Sequence, residues 1–231
     1  MLHRLALEGR DDTAVLVIDP ENTASVAVAA RTHFTRDGEQ RGSLRFTRPI
    51  PPLTYTDGTV TIRRPHPRDI DADLSAKDEQ QISWLWLPGQ RELWDAMSPA
   101  EQREHAATGL QSNHDSFGFG PKWTFAIDAG SNHAVGHVDC DLANGNVPTG
   151  EANVSYSAHP DHRGNGHVSA AVRLLCQFLI DHTSAREAHI VIDPENVASL
   201  RVARAVGAVE GEPFVDDRGQ PRVRYIRPLR D

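Results

Sequence analysis

The chain has 231 residues, a formal net charge of −8 and a hydrophobic fraction of 39%, which suits a globular protein large enough to bury a core without disulfides or metals. The acidic balance argues against a nucleic-acid binder, which needs a basic face. The sequence has no apolar run near the ~20 residues of a membrane span and no signal peptide at its start, so we expect a soluble, cytoplasmic protein with neither nucleic acid nor membrane as a partner.

The first predicted elements belong to an internal repeat. Residues 17–29 recur as residues 191–203 at an offset of 174, with 10 of 13 positions identical. Residues 45–50 then parallel 224–229 with the spacing shifted by five, which indicates a hairpin loop of different length. The repeat predicts a strand, a helix and two strands within residues 1–52, and these match only the last quarter of the chain.

This partial repeat has no counterpart of the glycine-rich segment at 163–168, because the chain begins too late to contain one. A fragment of this kind exposes sheet edges and an apolar helix face, so it needs a packing partner. Three explanations are open: it docks on its own complete domain, it joins a neighbouring chain in a homodimer, or the start codon is placed too late and upstream DNA encodes the missing half.

A proline-rich link, Pro49-Ile50-Pro51-Pro52, ends the partial repeat. We assign residues 1–52 to the partial repeat, 53–57 to a linker and 58–231 to one complete domain. This domain is predicted to begin with a strand at 59–63 and a mainly helical stretch at 69–87 that breaks. Ser98, followed by Pro99 and Glu101, then predicts the start of a further helix.

Strands dominate the middle of the domain. Residues 123–127 and 134–138 predict a hairpin around the turn at 128–132, a second turn follows at 144–146, and 152–158 alternates like a half-buried strand. A long helix is predicted next, from an apolar stripe at helical spacing that contains Val168, Val172, Leu175, Cys176 and Leu179.

The last quarter predicts a strand at 189–192, a helix between Asn196 and Gly207, and strands at 208–215 and 222–226. The whole domain is therefore predicted to be α/β, with a mixed central sheet flanked by helices. The sheet should be antiparallel early and parallel where the long helix crosses over.

The segment most typical of a ligand site is Arg163-Gly164-Asn165-Gly166-His167-Val168, between a predicted strand and a predicted helix. Glycines allow a backbone to approach a pyrophosphate and to point N–H groups at it, and the helix dipole favours an anion there. Taken alone, a glycine pair favours a plain tight turn over a phosphate site. The segment is neither a Walker loop nor a dinucleotide fingerprint.

A family resemblance adds to this pattern. The stretch from His159 to Gly166 resembles the acetyl-CoA signature of the GNAT superfamily of N-acetyltransferases, Arg/Gln-x-x-Gly-x-Gly/Ala. Asp193-Pro194-Glu195-Asn196-x-x-Ser199, followed by Val206-Gly207-Ala208, resembles the second CoA-side motif, especially in the RimJ/RimL-like branch. The resemblance covers about residues 58–231 and implies the GNAT acyl-CoA N-acyltransferase fold, with an N-terminal half-GNAT fragment at 1–52.

The resemblance implies an acyl-CoA co-substrate, acetyl-CoA by default, and no metal. Backbone amides of the glycine loop would hold the pyrophosphate, main-chain groups of the preceding strand would bond to the pantetheine arm, and Asn196 would contact the amide portion of the cofactor. The loop departs from the family pattern at Val168, where a small residue is usual. By position the cofactor-binding residues are Ser155, Tyr156, Ser157, Ala158, Arg163, Gly164, Asn165, Gly166, His167, Val168 and Asn196.

Transfer of an acyl group to an amine needs a base, a stabilised carbonyl oxygen and a proton for the leaving thiolate. We predict Glu151, at the entry of the 152–158 strand, as the base, with Asp139 and Asp141 as rivals. Ser199 fits the position from which RimL-like enzymes are thought to protonate the thiolate. The simpler interpretation of Ser199 is a helix hydroxyl bonded to its own backbone.

The predicted function is therefore transfer of an acyl group from CoA to a primary amine, on a protein N-terminus or a small molecule. The alternative is a degenerate GNAT domain that binds acyl-CoA or a protein partner without catalysis. The acceptor would be set by the variable region at roughly 66–121.

Several conspicuous residues receive simpler interpretations. Cys140 and Cys176 are expected to be buried small residues in a reducing compartment. The three tryptophans Trp84, Trp86 and Trp94 favour core packing over lining an acceptor groove. The histidines follow no metal-ligand spacing, so we predict no metal at His133, His137, His159 and His162.

Overall fold

The computed structural model describes residues 13–32, 34–49, 53–117 and 120–230. Residues 50–52 of the proline-rich link and residues 118–119 lie outside these ranges. The chain divides into two compact units, Met1–Leu53 and Thr54–Asp231. Among the described helices, none combines the length and apolar character needed to cross a membrane.

The N-terminal unit is a three-stranded antiparallel sheet with one helix. Its elements are β1 (Thr13–Ile18), α1 (Thr23–Arg31), β2 (Thr35–Gln40) and β3 (Ser43–Pro49), and the strand order is β1-β3-β2. These are the strand, helix and two strands that the repeat predicts. Apolar side chains from the sheet, α1 and the α1–β2 connection form its core: Ala14, Ile18, Ala29, Phe34 and Phe46.

The larger unit begins with two short strands and a layer of helices. The strands are β4 (Tyr55–Thr56) and β5 (Thr61–Arg63), and a 3₁₀ turn at Pro67–Asp69 leads into the helices. The helices are α2 (Ile70–Ser75), α3 (Glu79–Leu85), α4 (Gln90–Asp95) and α5 (Pro99–Ser116).

The rest of the larger unit alternates strands with two long connections. Its elements are β6 (Lys122–Asp128), β7 (Ala134–Asp141), β8 (Ala152–Ala158), α6 (His167–His182), β9 (Glu187–Ile192), α7 (Val197–Ala205), β10 (Val209–Val215) and β11 (Pro221–Pro228). All eight strands, β4 to β11, form one sheet in the order β10-β11-β9-β8-β7-β6-β5-β4. Only β8 and β9 pair in parallel, across the α6 crossover, as the sequence predicts.

Apolar residues at helical spacing dock α6 on one face of this sheet. Val172, Leu175, Cys176 and Leu179 of the predicted stripe are buried, while Val168 at the start of the helix is half-buried. The ring of Phe178 also lies in this layer and meets Phe125 of β6 edge-on, at 4.9 Å between centroids. This apolar layer fixes α6, and therefore the loop before it, against β6 to β8.

The C-terminal quarter repeats the topology of the N-terminal unit. Its order β9-α7-β10-β11, with β11 between β9 and β10, matches β1-α1-β2-β3, with β3 between β1 and β2. The helix caps match as well: Asn196 accepts the backbone N–H of Ser199 at 3.1 Å, and Asn22 accepts that of Ser25 at 3.0 Å. The residues that the two segments share thus include the side chains that start each helix.

Two expectations need correction. The segment 53–57, expected to be a linker, contains β4, which pairs with β5 and so forms the edge of the large sheet. The tryptophans are not core residues, because α3 and α4 lie at the surface: Trp84 is 39% exposed. Trp86 and Trp94 are half-buried and pack edge-on against each other, at 5.6 Å between centroids.

Candidate functional site

Two neighbouring parallel strands part at the centre of the large sheet. β8 pairs with β9 only at Ala152 and Asn153, opposite Ala188 and His189. On its other side, β8 pairs with β7 from Asn153 to Ala158. The β9-facing main-chain groups of residues 154–158 are therefore left without a strand partner, and an extended ligand can bond to such an edge.

The glycine loop lies just beyond this open edge. Gly166 caps α6 in a left-handed conformation, φ 79°, and among the described residues no side-chain hydrogen bond caps the helix. The first N–H groups of a helix have no partner within it, so they remain available to a bound anion. A side chain at Gly164 or Gly166 would strain this conformation, because both have φ near +78°.

Arg163, the first residue of the loop, is held by an acidic side chain from the helical layer. Its guanidinium donates to both carboxylate oxygens of Asp78, at 2.6 and 2.7 Å, and to Gln80 at 2.8 Å. The guanidinium of Arg163 holds the pKa of Asp78 below its usual range. Asp78 is itself the N-cap of α3, so this pair links the glycine loop to the helices on the other side of the site.

α7 starts at the same edge of the sheet, because parallel strands present their carboxyl ends together. The side-chain oxygen of Asn196 caps this helix by accepting the N–H of Ser199. The backbone oxygen of Ser199 accepts the hydroxyl of Tyr156, at 3.2 Å, across the gap between β8 and β9. The second predicted CoA motif therefore lies beside the first.

Glu151 occupies a different place from the one a catalytic base needs. Its carboxylate accepts the backbone N–H groups of Arg186 and Glu187, at 2.8 and 2.7 Å, and so ties the start of β8 to the start of β9. The glycine loop follows the other end of β8, about 20 Å along the strand. This position and these bonds argue for a structural role and against Glu151 as the base.

Across β6, β7 and β8, one face of the sheet is polar and the opposite face is apolar. Side chains alternate along strands and share a face with the residues directly opposite. Trp123 and Phe125 of β6 face α6, since both rings contact Phe178. On the opposite face, β6, β7 and β8 align three cross-strand rows: Lys122, Asp141 and Asn153; Thr124, Asp139 and Ser155; Ala126, His137 and Ser157.

Two of these rows contain direct polar contacts. The hydroxyl of Ser155 lies 2.8 Å from each carboxylate oxygen of Asp139. Ser157 Oγ lies 3.0 Å from Nδ1 of His137 and 3.5 Å from its Nε2. Both serines belong to the β8 segment that parts from β9. The polar rows therefore begin beside the open edge.

A cavity of about 220 Å³ lies over this polar face. Its walls come from α2, α5, β6, β7 and the residue after β8, and they include Asp73, Asn113, Thr124, His137, Asp139 and His159. Burial lowers the pKa of His137, and it lowers the pKa of His159 to about 4. Both imidazoles are therefore neutral at pH 7 and able to accept a proton.

The two rival aspartates differ in environment. Asp139 is 8% exposed, and its carboxylate has no ion-pair partner among the described residues. Asp141 is half-buried and lies opposite the exposed Lys122, at the rim of the polar face. Of these two aspartates, only Asp139 lines the cavity.

Sequence reasoning overlooked His137 and His159, which were considered only as metal ligands. The available signal was the alternation of polar residues in β7 and β8, where Asp139 and Ser155 recur two positions from His137 and Ser157. Across the described residues, no group of three or more His, Cys, Asp or Glu side chains is arranged to hold a metal ion.

Comparison with known proteins identifies the domain. Residues 59–209 match the family described as the acetyltransferase (GNAT) domain. A search of curated protein sequences finds no significant match.

Solved structures share the fold at low sequence identity. The ribosomal-protein-S5-alanine acetyltransferase of Vibrio fischeri has a TM-score of 0.61 and 15% identity, and the match covers 78% of this chain and 98% of that one. RimL, a ribosomal L7/L12 alpha-N-protein acetyltransferase solved with coenzyme A, has a TM-score of 0.59 and 18% identity, with coverages of 75% and 96%. Mycobacterium smegmatis RimJ, in complex with CoA-disulfide, has a TM-score of 0.55 and 18% identity, and the match covers 73% of this chain and 81% of that one.

The family match covers more than half of the chain, and these structures share the mixed sheet and flanking helices of the larger unit. The chain therefore belongs to the GNAT acetyltransferase family.

Proposed function

We propose that the larger unit transfers an acyl group, acetyl by default, from CoA to the primary amine of a protein N-terminus or a small molecule. The observation that carries this proposal is the uncapped, glycine-flanked start of α6 beside the open edge of β8. The first feature suits a diphosphate and the second suits an extended pantetheine arm.

The loop amides of residues 163–168 and the β8 segment Ser155–Ala158 are the cofactor-binding groups in this proposal. Asn196 takes a more limited role than the sequence suggests. Its side-chain oxygen already caps α7, so only its amide N–H₂ is free to donate to the cofactor. In support of an acyl-CoA donor, the related RimL structure contains coenzyme A.

The reaction is direct attack of the amine on the thioester. The amine nitrogen forms a bond to the carbonyl carbon, the carbon–sulfur bond breaks, and the CoA sulfur leaves as a thiolate that takes up a proton. We assign delivery of that proton to Ser199, which is half-buried at the first turn of α7 beside the gap between the strands. Holding both reactants in one site supplies a large share of the rate.

The test is release of free CoA thiol from acetyl-CoA over a panel of peptides and small amines. We expect thiol release that depends on the amine, and mass spectrometry should show one acetyl group added to the amine. A Ser199→Ala variant should bind acetyl-CoA normally and turn over more slowly. Absence of amine-dependent release across the panel, with acetyl-CoA bound, would support the alternative below.

The alternative is a domain that binds acyl-CoA, or a protein partner, without turnover. Val168 favours it, because this half-buried β-branched side chain occupies the second position of α6, next to the proposed diphosphate site. A Val168→Ala variant tests this crowding: if the valine crowds the phosphates, the variant should bind acetyl-CoA more tightly than the wild type.

For the N-terminal unit, we infer a partial copy of the GNAT fold that consists of its last strand, helix and two strands. The 10 identical positions in 13, the same strand order and the equivalent Asn caps support this inference. Deleting residues 1–53 should cause aggregation or change the oligomer mass if the unit packs against the larger unit or a second chain. An unchanged monomer would contradict both arrangements.

We assign the protein to the cytoplasm. Cys140 and Cys176 are both buried free thiols, which is the usual state of cysteine in a reducing compartment.

A further inference from the structure

The cavity over the polar sheet face has no role in the cofactor site described above. We propose that it is the acceptor subsite, in which Asp139 holds the incoming amine as its ammonium ion and His137 takes the ammonium proton. This proposal rests on the proposed acyl-transfer function, and it adds the charge class of the substrate and the identity of the base.

The position of the cavity relative to the open edge supports the subsite. Ser155 and Ser157 contribute main chain to the edge where the pantetheine arm would lie, and their hydroxyls contact Asp139 and His137. A thioester bound along β8 would therefore lie within one side chain of both residues. His137 and Asp139 lie two positions apart on β7, on the same face of the sheet.

Asp139 has the character of an ammonium site. A carboxylate that is 8% exposed is costly to bury unless a cation or several donors compensate for it. Ser155 supplies one hydroxyl donor. The neighbouring acids are already neutralised, since Asp69 pairs with Arg63 and Asp73 with Lys77. A bound ammonium ion would supply the missing positive charge.

His137 has the character of a base. Its ring is fixed by Ser157 and borders the cavity. If Nδ1–H donates to Ser157 Oγ, Nε2 carries the lone pair that receives a proton. Burial lowers the pKa of His137, so the ring is neutral at pH 7, and the nearby Asp139 stabilises the imidazolium that forms.

The charged and titratable groups around His137 come from several elements. Asp139 on β7 and Asp73 on α2 favour its protonated form, while Lys122 on β6 and Lys77 after α2 oppose it. His159, whose pKa is lowered to about 4, is neutral at the working pH. The remaining titratable group in the cavity wall is Asp69, paired with Arg63.

The size of the cavity restricts the acceptor. Its 220 Å³ is below the about 300–1,000 Å³ of common small-molecule pockets. Only the amine-bearing end of an acceptor fits inside, so the substrate class is a slender, unbranched cationic primary amine. The chain's net charge of −8 favours the approach of such cations.

In the proposed step the ammonium nitrogen loses two protons and forms one bond to carbon. The ammonium ion gives one proton to an imidazole nitrogen of His137 and becomes a neutral amine. The amine nitrogen bonds to the thioester carbon and the carbon–sulfur bond breaks. The nitrogen then loses a second proton, which balances the proton that the CoA thiolate takes up. His137 returns its own proton to solvent.

The first test compares Asp139→Asn and His137→Gln with wild type, using cadaverine as a cationic acceptor and methoxyamine as a slender acceptor that is uncharged at pH 7. Asp139→Asn should raise KM for cadaverine about tenfold or more and change KM for methoxyamine little. His137→Gln should lower kcat about a hundredfold or more and remove the acidic limb of the pH profile of kcat/KM. His133→Gln, at an exposed histidine, is the matched control and should behave as wild type.

Equal losses for cadaverine and methoxyamine in Asp139→Asn would overturn the ammonium site, and an unchanged acidic limb in His137→Gln would overturn the base. Acetyl-CoA affinity, measured by calorimetry on each variant, should equal that of wild type and so shows that the fold is intact. If the wild type itself does not bind acetyl-CoA, the proposed acyl transfer is rejected.

A readout independent of turnover keeps the two proposals separable. Cadaverine titrated into wild type should shift the imidazole NMR signals of His137, which His137→Gln assigns by their loss. The shift should vanish in Asp139→Asn. If cadaverine shifts these signals but the wild type shows no turnover, the amine subsite is supported and the proposed acyl transfer is not. If cadaverine causes no shift, the subsite is overturned.

Discussion

Tyr156 donates its hydroxyl to the backbone oxygen of Ser199, at 3.2 Å, across the gap where β8 and β9 part. Burial raises the pKa of this phenol, so it remains a hydrogen-bond donor over the physiological range. The contact connects the strand proposed to hold pantetheine to the first turn of α7. Residues of two separate sequence motifs are thus in direct contact.

Replacing Tyr156 by Phe tests this connection. We expect the free energy of unfolding to fall by about 1 kcal/mol, because one part-buried hydrogen bond is lost. Since Ser199 would then be less firmly placed, kcat should fall more than acetyl-CoA affinity does. Urea denaturation and steady-state kinetics measure these effects, and an affinity loss larger than the kcat loss would contradict them.

The glycine loop predicts a difference between two alanine variants. Gly166 and Gly150 both have positive φ, 79° and 87°, and a Cβ at either position meets no atom within 4 Å. Each Gly→Ala change should therefore cost a similar strain, about 1 kcal/mol. Only Gly166→Ala should weaken acetyl-CoA binding, by about tenfold, through displaced N–H donors. Equal affinities in calorimetry would reject the loop as the diphosphate site.

Asn196 allows its capping and binding roles to be separated. Asn196→Asp keeps an oxygen to accept the N–H of Ser199 but removes the amide donor, so stability should change little and acetyl-CoA affinity should fall. Asn196→Ala and Asn22→Ala should each lose about 1 kcal/mol of cap energy, with a change in affinity only for Asn196. Wild-type affinity in Asn196→Asp would leave Asn196 as a cap alone.

The buried His159 predicts acid sensitivity. Its pKa falls from 6.5 in the unfolded chain to about 4 in the fold, so the unfolded state binds the proton first as the pH drops. The stabilisation is fully present above pH 6.5 and is lost as the pH falls towards 4. The loss is on the order of 3 kcal/mol. His159→Gln should unfold less steeply over this interval than wild type, and His133→Gln should match wild type.

Much of the fold followed from local patterns. The alternation at 152–158 gave both ends of β8, and Ser98 with Pro99 and Glu101 gave the start of α5, because a strand face and a capping box are set by neighbouring residues. The prediction of a linker at 53–57 was wrong because this segment depends on pairing with another strand. Tyr55 and Thr56 are a strand only because β5 returns to pair with them.

The residues of the candidate site also differ in whether local sequence or distant contacts determine their positions. The turn at the glycine loop could be predicted because its conformation, with positive φ at Gly164 and Gly166, depends on six consecutive residues. The pairing of His137 with Ser157 depends on the register of two strands separated by a loop, which no local pattern reports. The bonds of the Glu151 carboxylate could not be predicted either, because they join it to residues 35 and 36 positions away.

The claim on which the account depends is that the start of α6 binds the diphosphate of an acyl-CoA. Calorimetric titration of the full chain with acetyl-CoA, and in parallel with S-acetylpantetheine, which lacks the diphosphate, tests it directly. We predict saturable 1:1 binding of acetyl-CoA and at least about a hundredfold weaker binding of S-acetylpantetheine, since several charge-assisted bonds are lost. Equal affinities, or no heat with acetyl-CoA, would contradict the account.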